Sequence, residues 1–280
     1  MTFSLVARSA DGAVWGVAVA SKFLAAGAVV PAARAGQGAV ATQSFVNLRY
    51  LPEGLALLAA GRSATDAVAA LTGADELREQ RQVGIVGATG DGAAFTGADC
   101  IPWAGSRSGD GWTAQGNCLA GPEVLEAIET AFLASGEAEP LAHRLLAGLR
   151  AGDAAGGDRR GRQSAALLVV TEGGGYGGGS DVLVDLRADD HVAPVAELLR
   201  LLALHDLYFG KADPADLRPL EGELAREVDA ALRALGHDGD GSLDDRLFDW
   251  MGWENYEERH VPGAIDPVVL VKLLEAVPGT

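Results

Sequence analysis

The stretch TFSLVARSADGAVWGVAVAS, residues 2–21, decides the fold of this chain. Its two ends, residues 2–8 and 13–21, are apolar runs of strand length, and Asp11-Gly12 between them is a strong hairpin signal. Thr2 stands at the head of the first strand and directly follows Met1. Because an initiator methionine is normally removed before a small residue, the sequence predicts a mature chain that begins with threonine.

An N-terminal threonine has a specific chemistry. It combines a hydroxyl nucleophile with a free α-amine whose ordinary pKa is about 8, so the amine can act as the base for its own hydroxyl. The plain alternative is that Thr2 simply begins a buried strand, as in many β-proteins. From this stretch alone the plain alternative is favoured.

Composition narrows the classes of function. The chain has 280 residues, of which 48% are hydrophobic, and its formal net charge is -17. The length fits one large domain, or a medium domain with a small appendage. Nucleic acid and anionic membrane surfaces would repel such an acidic chain, so neither is expected as a partner.

Cysteine usage and hydropathy add further expectations. Cys100 and Cys118 show no CxxC spacing, so we expect neither a disulfide framework nor a metal site, and no cofactor is predicted. No apolar run approaches the roughly 20 residues of a membrane span, and the start of the chain lacks a signal-peptide pattern. The sequence therefore predicts a cytoplasmic protein.

Apolar periodicity predicts strand pairs alternating with helices, followed by a helical tail. Turn residues at 210–219 indicate a linker, so we expect domains over residues 1–208 and 215–280. Strands are predicted near residues 29–34, 39–44, 81–87, 93–97, 112–118, 165–170 and 182–186. Helices are predicted over residues 51–60, 63–71, 121–135, 140–151, 194–205, 220–235 and 243–250, with a last one beginning at 265.

Polar residues gather where two of the predicted strands end. Gln43, Asn47 and Arg49 follow the second strand pair, where substrate-binding side chains are often found. Gly116 and Asn117 precede a predicted helix N-terminus, where a glycine and an amide donor could form an oxyanion hole. The alternatives are a simple polar exit from a strand and a turn that uses Gly and Asn for their backbone freedom.

The most distinctive segment is the loop GDRRGRQ, residues 157–163, which runs directly into a buried strand at Ser164. Its arginines, including Arg159 and Arg162, could bind a carboxylate or phosphate group through paired hydrogen bonds. It does not match a phosphate-binding P-loop, which needs Gly-Lys-Ser/Thr before a helix. A solvated loop without function is the alternative.

The order of strand pairs and helices is similar to that of the N-terminal nucleophile (Ntn) hydrolases. Thr2, Gly12 and Ala20-Ser21-Lys22 match the start of the proteasomal threonine proteases, in which a Thr-led strand is followed by a Gly turn and a small-Ser-basic ending. Over residues 1–205 the chain resembles one uncharacterised prokaryotic family, domain of unknown function family 1028. The matching segments are residues 1–4, 38–43, 81–84, 100–105, 115–117 and 156–164.

The resemblance implies a fold and a set of roles. The implied fold class is α/β (α+β), a four-layer αββα sandwich of Ntn-hydrolase type, and residues after about 215 resemble a small all-α peptidoglycan-binding module. The implied catalytic residues are Thr2 as nucleophile with its own amine as base, Gly116 and Asn117 as oxyanion donors, and Asp158 and Ser164 beside the amine. Ala20 replaces the acidic residue of the proteasomal pattern, and the second strand pair lacks the proteasomal lysine.

Two functions follow from these observations. The first is an Ntn-type amidohydrolase acting on a small, anionic amide, without metal or cofactor, in a homo-oligomer. The second is a non-catalytic αββα scaffold or binding protein that recognises a cell-wall-derived peptide. The residues expected to bind substrate are Ser21, Lys22, Gln43, Asn47, Arg49, Arg159, Arg162 and Gln163.

Overall fold

The structure, a computed structural model, describes residues 2–90 and 92–278. Met1, whose removal the sequence predicts, lies outside the described residues. The chain divides into two compact units, residues 1–202 and 203–280. Within the described ranges, no helix combines the length and apolarity that a membrane crossing needs.

The first unit contains two antiparallel sheets and the helices that cover them. The larger sheet has the strand order β10-β9-β2-β1-β8-β7, and the smaller has the order β3-β4-β5-β6. The strands are β1 (Thr2–Arg8), β2 (Val14–Ser21), β3 (Pro31–Arg34), β4 (Gly38–Ser44), β5 (Arg81–Gly87), β6 (Gly92–Thr96), β7 (Gly105–Gly109), β8 (Trp112–Asn117), β9 (Ser164–Thr171) and β10 (Val182–Ala188). The helices are α1 (Tyr50–Ala59), α2 (Ala64–Gly73), α3 (Glu123–Ala134), α4 (Leu141–Ala154) and α5 (Pro194–Phe209).

The predicted first hairpin is confirmed and occupies the middle of the larger sheet. β1 pairs with β2 on one side and with β8 on the other. Gly12 has a φ of 68°, a left-handed conformation that glycine adopts without strain, which explains the glycine in this turn. Successive side chains of β1 point to opposite faces, so Phe3 and Leu5 pack toward helices while Val6 packs toward the other sheet.

Three apolar clusters bind the layers together. Helices α1 and α2 cover the smaller sheet, with Leu55, Leu58 and Leu71 packed against Val40 and Ile85. Helices α3, α4 and α5 cover the larger sheet, and a third cluster fills the space between the two sheets. The result is a four-layer αββα sandwich, which confirms the predicted fold class.

The two ends of the sandwich differ in their connections. At one end the chain turns back between the two strands of a hairpin, as at residues 9–13 between β1 and β2. At the opposite end the chain passes from one layer to another, and we call this the loop end. Its connections are residues 22–30, 45–49, 74–80, 97–104, 118–122, 155–163 and 189–193.

The second unit is a small helical domain with its own core. Trp250, Leu232 and Leu270 are buried where its helices meet. Ser242 and Asp245 form a capping box at the start of the second of these helices. The predicted linker ends in a short strand, Arg218–Pro219, that pairs with Ala264–Ile265. The elements are β11 (Arg218–Pro219), α6 (Gly222–Ala234), α7 (Leu243–Glu254), β12 (Ala264–Ile265) and α8 (Pro267–Ala276).

Within the second unit, a buried ion pair joins residues 206 and 207, in the part of α5 that belongs to this unit, to the start of α8. Arg259 Nη1 donates to Asp266 Oδ2 at 2.6 Å, and Arg259 Nε donates to the carbonyl oxygen of Leu207 at 2.7 Å. Asp266 also caps α8 by accepting from the Val268 backbone N–H at 2.8 Å. Both buried charges therefore have hydrogen-bond partners, which offsets the cost of removing them from water.

Candidate functional site

Four polar side chains form a row across neighbouring strands at the loop end. The strand register pairs Asn117 with Thr2, Thr2 with Ser21, and Ser21 with Ser164. Thr2 is two residues from Ser4 and four from Val6, so the alternation of β1 turns this row toward the smaller sheet. All four residues are buried. We call Asn117, Thr2, Ser21 and Ser164 the polar row.

The hydroxyl of Thr2 is bonded to another hydroxyl. Thr2 Oγ1 lies 3.0 Å from Ser21 Oγ, and Thr2 is only 5% exposed. Among residues 2–90 and 92–278, no carboxylate, imidazole or ammonium group hydrogen-bonds to Thr2 Oγ1. Within the described residues, no neighbouring side chain is therefore positioned to act as a base for this hydroxyl.

A network of buried amides holds the start of β1 from the opposite sheet. Gln43, Gln82 and Gln115 are fully buried between the sheets. Gln43 Nε2 donates to the Thr2 carbonyl oxygen at 3.1 Å and to Gln82 Oε1 at 2.7 Å. Asn117 Nδ2 donates to Gln82 Oε1 at 3.1 Å. We call these four amide side chains the amide network.

The amide network is closed by strand carbonyls and by one further hydroxyl. Gln82 Nε2 donates to the Gly116 carbonyl oxygen at 2.8 Å and to Thr96 Oγ1 at 2.8 Å. Ser4 donates its hydroxyl to Gln43 Oε1 at 2.7 Å. Because buried polar groups are costly when unpaired, this network fixes how the two sheets face each other.

These contacts change the roles expected for three residues. Asn117 was expected to stabilise an oxyanion and Gln43 to bind substrate, but both amides are buried and bonded within the protein. Gly116 lies inside β8, and a Cβ there would come within 2.5 Å of Leu119 Cδ1. We therefore attribute the glycine to close packing, and the amides to holding the sheets in register.

Asp158 and Ser164 hold the connection that follows β2. Asp158 Oδ2 accepts from the Lys22 backbone N–H at 2.8 Å and from Arg160 Nη2 at 3.0 Å. Ser164 Oγ donates to the Phe23 carbonyl oxygen at 2.6 Å and accepts from the backbone N–H of residue 26 at 3.0 Å. Both groups are thus engaged with the loop backbone, and their catalytic roles stay a prediction.

A small pocket lies beside the polar row. It has a volume of about 80 Å³, and the residues that line it include Ser21, Asp158 and Arg162 but not Thr2. The guanidinium of Arg162 is bonded to Asp153, with Nε 2.7 Å from Oδ1. The structure therefore brings the expected residue Arg162 to the pocket, but already paired with a carboxylate.

The remaining residues of this segment differ in their surroundings. Lys22 Nζ donates to the Arg162 carbonyl oxygen at 3.3 Å. Gln163 is engaged through its backbone, whose N–H donates to the Ser21 carbonyl oxygen at 3.1 Å. Arg159 is exposed and has no ion-pair partner among the described residues. Arg159 is therefore the cation of this loop that remains open to a ligand.

Asn47 and Arg49 belong to other contacts. Asp75 accepts hydrogen bonds from Asn47 Nδ2 at 2.8 Å, from the Tyr50 hydroxyl at 3.0 Å and from Arg81 Nε at 3.0 Å. Arg49 pairs with Glu53 one turn along α1. The expected substrate-binding residues after β4 therefore stabilise the loop end and its first helix.

The hydrogen bonds at Asp75 shift two acid–base groups. Burial would raise the pKa of the Asp75 carboxyl, but the donors Asn47, Leu77, Arg81 and Tyr50 outweigh it and lower the pKa to about 2. Burial and the hydrogen bond to Asp75 raise the pKa of the Tyr50 hydroxyl. Asp75 is therefore held as a carboxylate down to strongly acidic pH.

Sequence reasoning missed Ser4, Gln82 and Asp75 as contributors to this end of the molecule. A signal existed for Ser4, since Thr2 and Ser4 alternate with apolar residues and so share one face of β1. Both cysteines are buried and free, as expected. Three or more His, Cys, Asp or Glu side chains do not gather as metal ligands in the described part of the chain.

The fold and the site define a class: an αββα sandwich protein with a buried threonine at the head of its central strand. The chain belongs to the family of unknown function DUF1028, whose model matches residues 2–198. Residues 208–273 match a second model, described as "Putative peptidoglycan binding domain". Both resemblances expected from the sequence are confirmed.

One solved structure extends the comparison. The crystal structure of a DUF1028 protein from Silicibacter pomeroyi is 30% identical to this chain and superposes with a TM-score of 0.66. The match covers 80% of this chain and 88% of that one. The comparison with curated proteins gave no match.

The amide network predicts a specific cost for Gln82→Leu. The substitution leaves Asn117, Gln43 and the Gly116 carbonyl oxygen buried without this partner, so we expect a loss of roughly 1–3 kcal/mol in the free energy of unfolding. Urea-induced unfolding measures this change in the free energy of unfolding. Gln37→Leu, in the β3–β4 turn, is the matched control and should stay within about 0.5 kcal/mol of wild type. Equal effects of the two substitutions would refute the structural role of the network.

The lowered pKa of Asp75 predicts a pH-dependent stability. The folded pKa of about 2 lies below the ordinary value of 3.8, so the stabilisation is complete above the ordinary value and is lost as the pH falls toward 2. Asp75→Asn should lower the melting temperature near neutral pH and flatten its decline in this acidic range. Asp190→Asn, an exposed carboxyl at the same end, is the control. Parallel melting curves for wild type and Asp75→Asn would contradict the assignment.

Proposed function

We propose that the first unit is an Ntn-type amidohydrolase with Thr2 as its nucleophile. The observation that carries this proposal is the position of the Thr2 hydroxyl, 3.0 Å from Ser21 Oγ at the head of the central strand. Gln43 holds the Thr2 carbonyl oxygen at 3.1 Å, so the residue is fixed by partners on two sides. A fixed nucleophile loses little orientational freedom when it attacks.

The base in this proposal is the α-amine that removal of Met1 would create. As Thr2 Oγ1 attacks the amide carbon, its proton passes to that amine and then to the leaving nitrogen, which departs as a free amine. Water then cleaves the resulting ester and restores the hydroxyl. No charged side chain bonded to Thr2 Oγ1 among the described residues competes for this role. Ser21 would orient the nucleophile.

The surroundings favour a small substrate with an acidic group. The pocket beside Ser21 has a volume of about 80 Å³, which accommodates only a small moiety. Arg159 is the open cation of the neighbouring loop, and a guanidinium binds carboxylates through paired hydrogen bonds. We therefore propose an amide of a small carboxylic acid as the substrate class.

Intact-mass measurement of the full chain tests the proposal. We expect the native protein to lack the mass of Met1 and to gain one adduct with a β-lactone that acylates N-terminal threonine. Thr2→Ala should abolish the adduct, while Thr2→Ser should retain it. Ser21→Ala should slow acylation about tenfold, because one hydrogen bond to the nucleophile contributes roughly 1.4 kcal/mol. Retention of Met1 without any adduct would exclude this mechanism.

We propose as a second candidate that the second unit binds a cell-wall glycopeptide, which would suit a non-catalytic binding protein. The model match over residues 208–273 supports it, and so does Trp253, which is 79% exposed on α7. An exposed indole is costly in water unless a partner covers it, and its flat face suits the apolar face of a sugar ring.

Calorimetric titration of the full chain with muramyl dipeptide tests this candidate. We expect binding by wild type and a loss of roughly tenfold or more in affinity for Trp253→Ala, since truncation of a stacked aromatic residue removes at least about 1.4 kcal/mol. Tyr176→Ala, an exposed aromatic residue of the first unit, serves as control and should bind like wild type. Absence of binding by wild type would exclude this ligand.

A further inference from the structure

Exposed apolar side chains are concentrated at the loop end. Among the described residues of the first unit, seven of the ten exposed large apolar side chains lie in the loop-end connections. They are Phe23, Leu24, Phe45, Leu48, Leu77, Ile101 and Val192. Such a concentration on a monomeric protein marks a surface that is covered in the functional assembly.

The loop end is also close to electrical neutrality. Its connections contain six basic and seven acidic residues, whereas the whole chain has a net charge of -17. Two copies of so acidic a chain repel each other through most of their surface. The loop end is a face where this repulsion is weak and apolar contact is available.

The unpaired charges of this face have both signs. Arg159 has no ion-pair partner in residues 2–90 and 92–278, and neither do Asp99, Asp190 and Glu76. A partner that carried charges of only one sign would leave either the cation or the carboxylates of this face unpaired. In an isologous contact each copy offers both signs, so cations of one copy can face carboxylates of the other.

We propose that the loop end is the interface at which two copies of this chain associate. Seven half-exposed large side chains offer roughly 700 Å² per copy, at about 100 Å² each. A standard protein interface buries about 800 Å² per partner, so the surface is of the size that a stable dimer needs. The pocket beside Ser21 lies among these connections, and the second copy would contribute to its surroundings. This proposal does not depend on the proposed catalytic activity.

Sedimentation velocity of the full chain over a wide range of concentration tests the proposal. We expect wild type to sediment with twice the mass of the chain. The double variant Phe23→Asp and Phe45→Asp should weaken the dimer roughly 30-fold or more, because buried aromatic residues dominate interface affinity. These side chains are 54% and 57% exposed, so the folded monomer should keep its melting behaviour, which circular dichroism checks.

Leu133→Asp is the matched control, since Leu133 is 55% exposed and lies outside the loop end, on α3. It should sediment as wild type does. A monomeric wild type would overturn the proposal. So would a dimer that Leu133→Asp dissociates and the double variant leaves intact.

Discussion

The interior of this protein depends on amide hydrogen bonds between its two sheets. Gln43, Gln82 and Asn117 are buried where most sandwiches place aliphatic side chains, and each amide is bonded to a neighbour or to a strand carbonyl. Two sheets in purely apolar contact can shift by one residue more readily than two sheets joined by directional hydrogen bonds. The amides permit one registry of the sheets, and that registry determines where Thr2 lies.

The same constraint limits what the site can do. Amides bonded to one another are not free to polarise a substrate, and the Asp158 carboxylate is engaged by the chain that follows β2. The proposed mechanism therefore relies on the hydroxyls of Thr2 and Ser21, which lie 3.0 Å apart. A hydroxyl pair has no base of its own at neutral pH, so the proposed mechanism depends on a free α-amine at Thr2.

Sequence patterns predicted the layers, and they named site residues without the contacts that hold those residues. The hairpin at Asp11-Gly12 depends on neighbouring residues, which a sequence displays directly. The partners of Gln43 lie 39 and 72 residues away along the chain, and only the packing of the sheets brings them together. The sequence therefore predicted polar residues at strand ends as substrate ligands without revealing that some of them bond to one another. Sequence separation, not residue chemistry, set the limit.

The polar row also imposes an order on folding. Thr2 and Ser21 meet through a local hairpin, which forms early because little chain entropy is lost. Ser21 meets Ser164 only after β9 has joined β2, across a loop of more than a hundred residues. The polar row is therefore completed late in folding, once β9 has paired with β2. Under the proposed mechanism, a newly made or partly unfolded chain therefore carries its nucleophile without the surroundings on which catalysis depends.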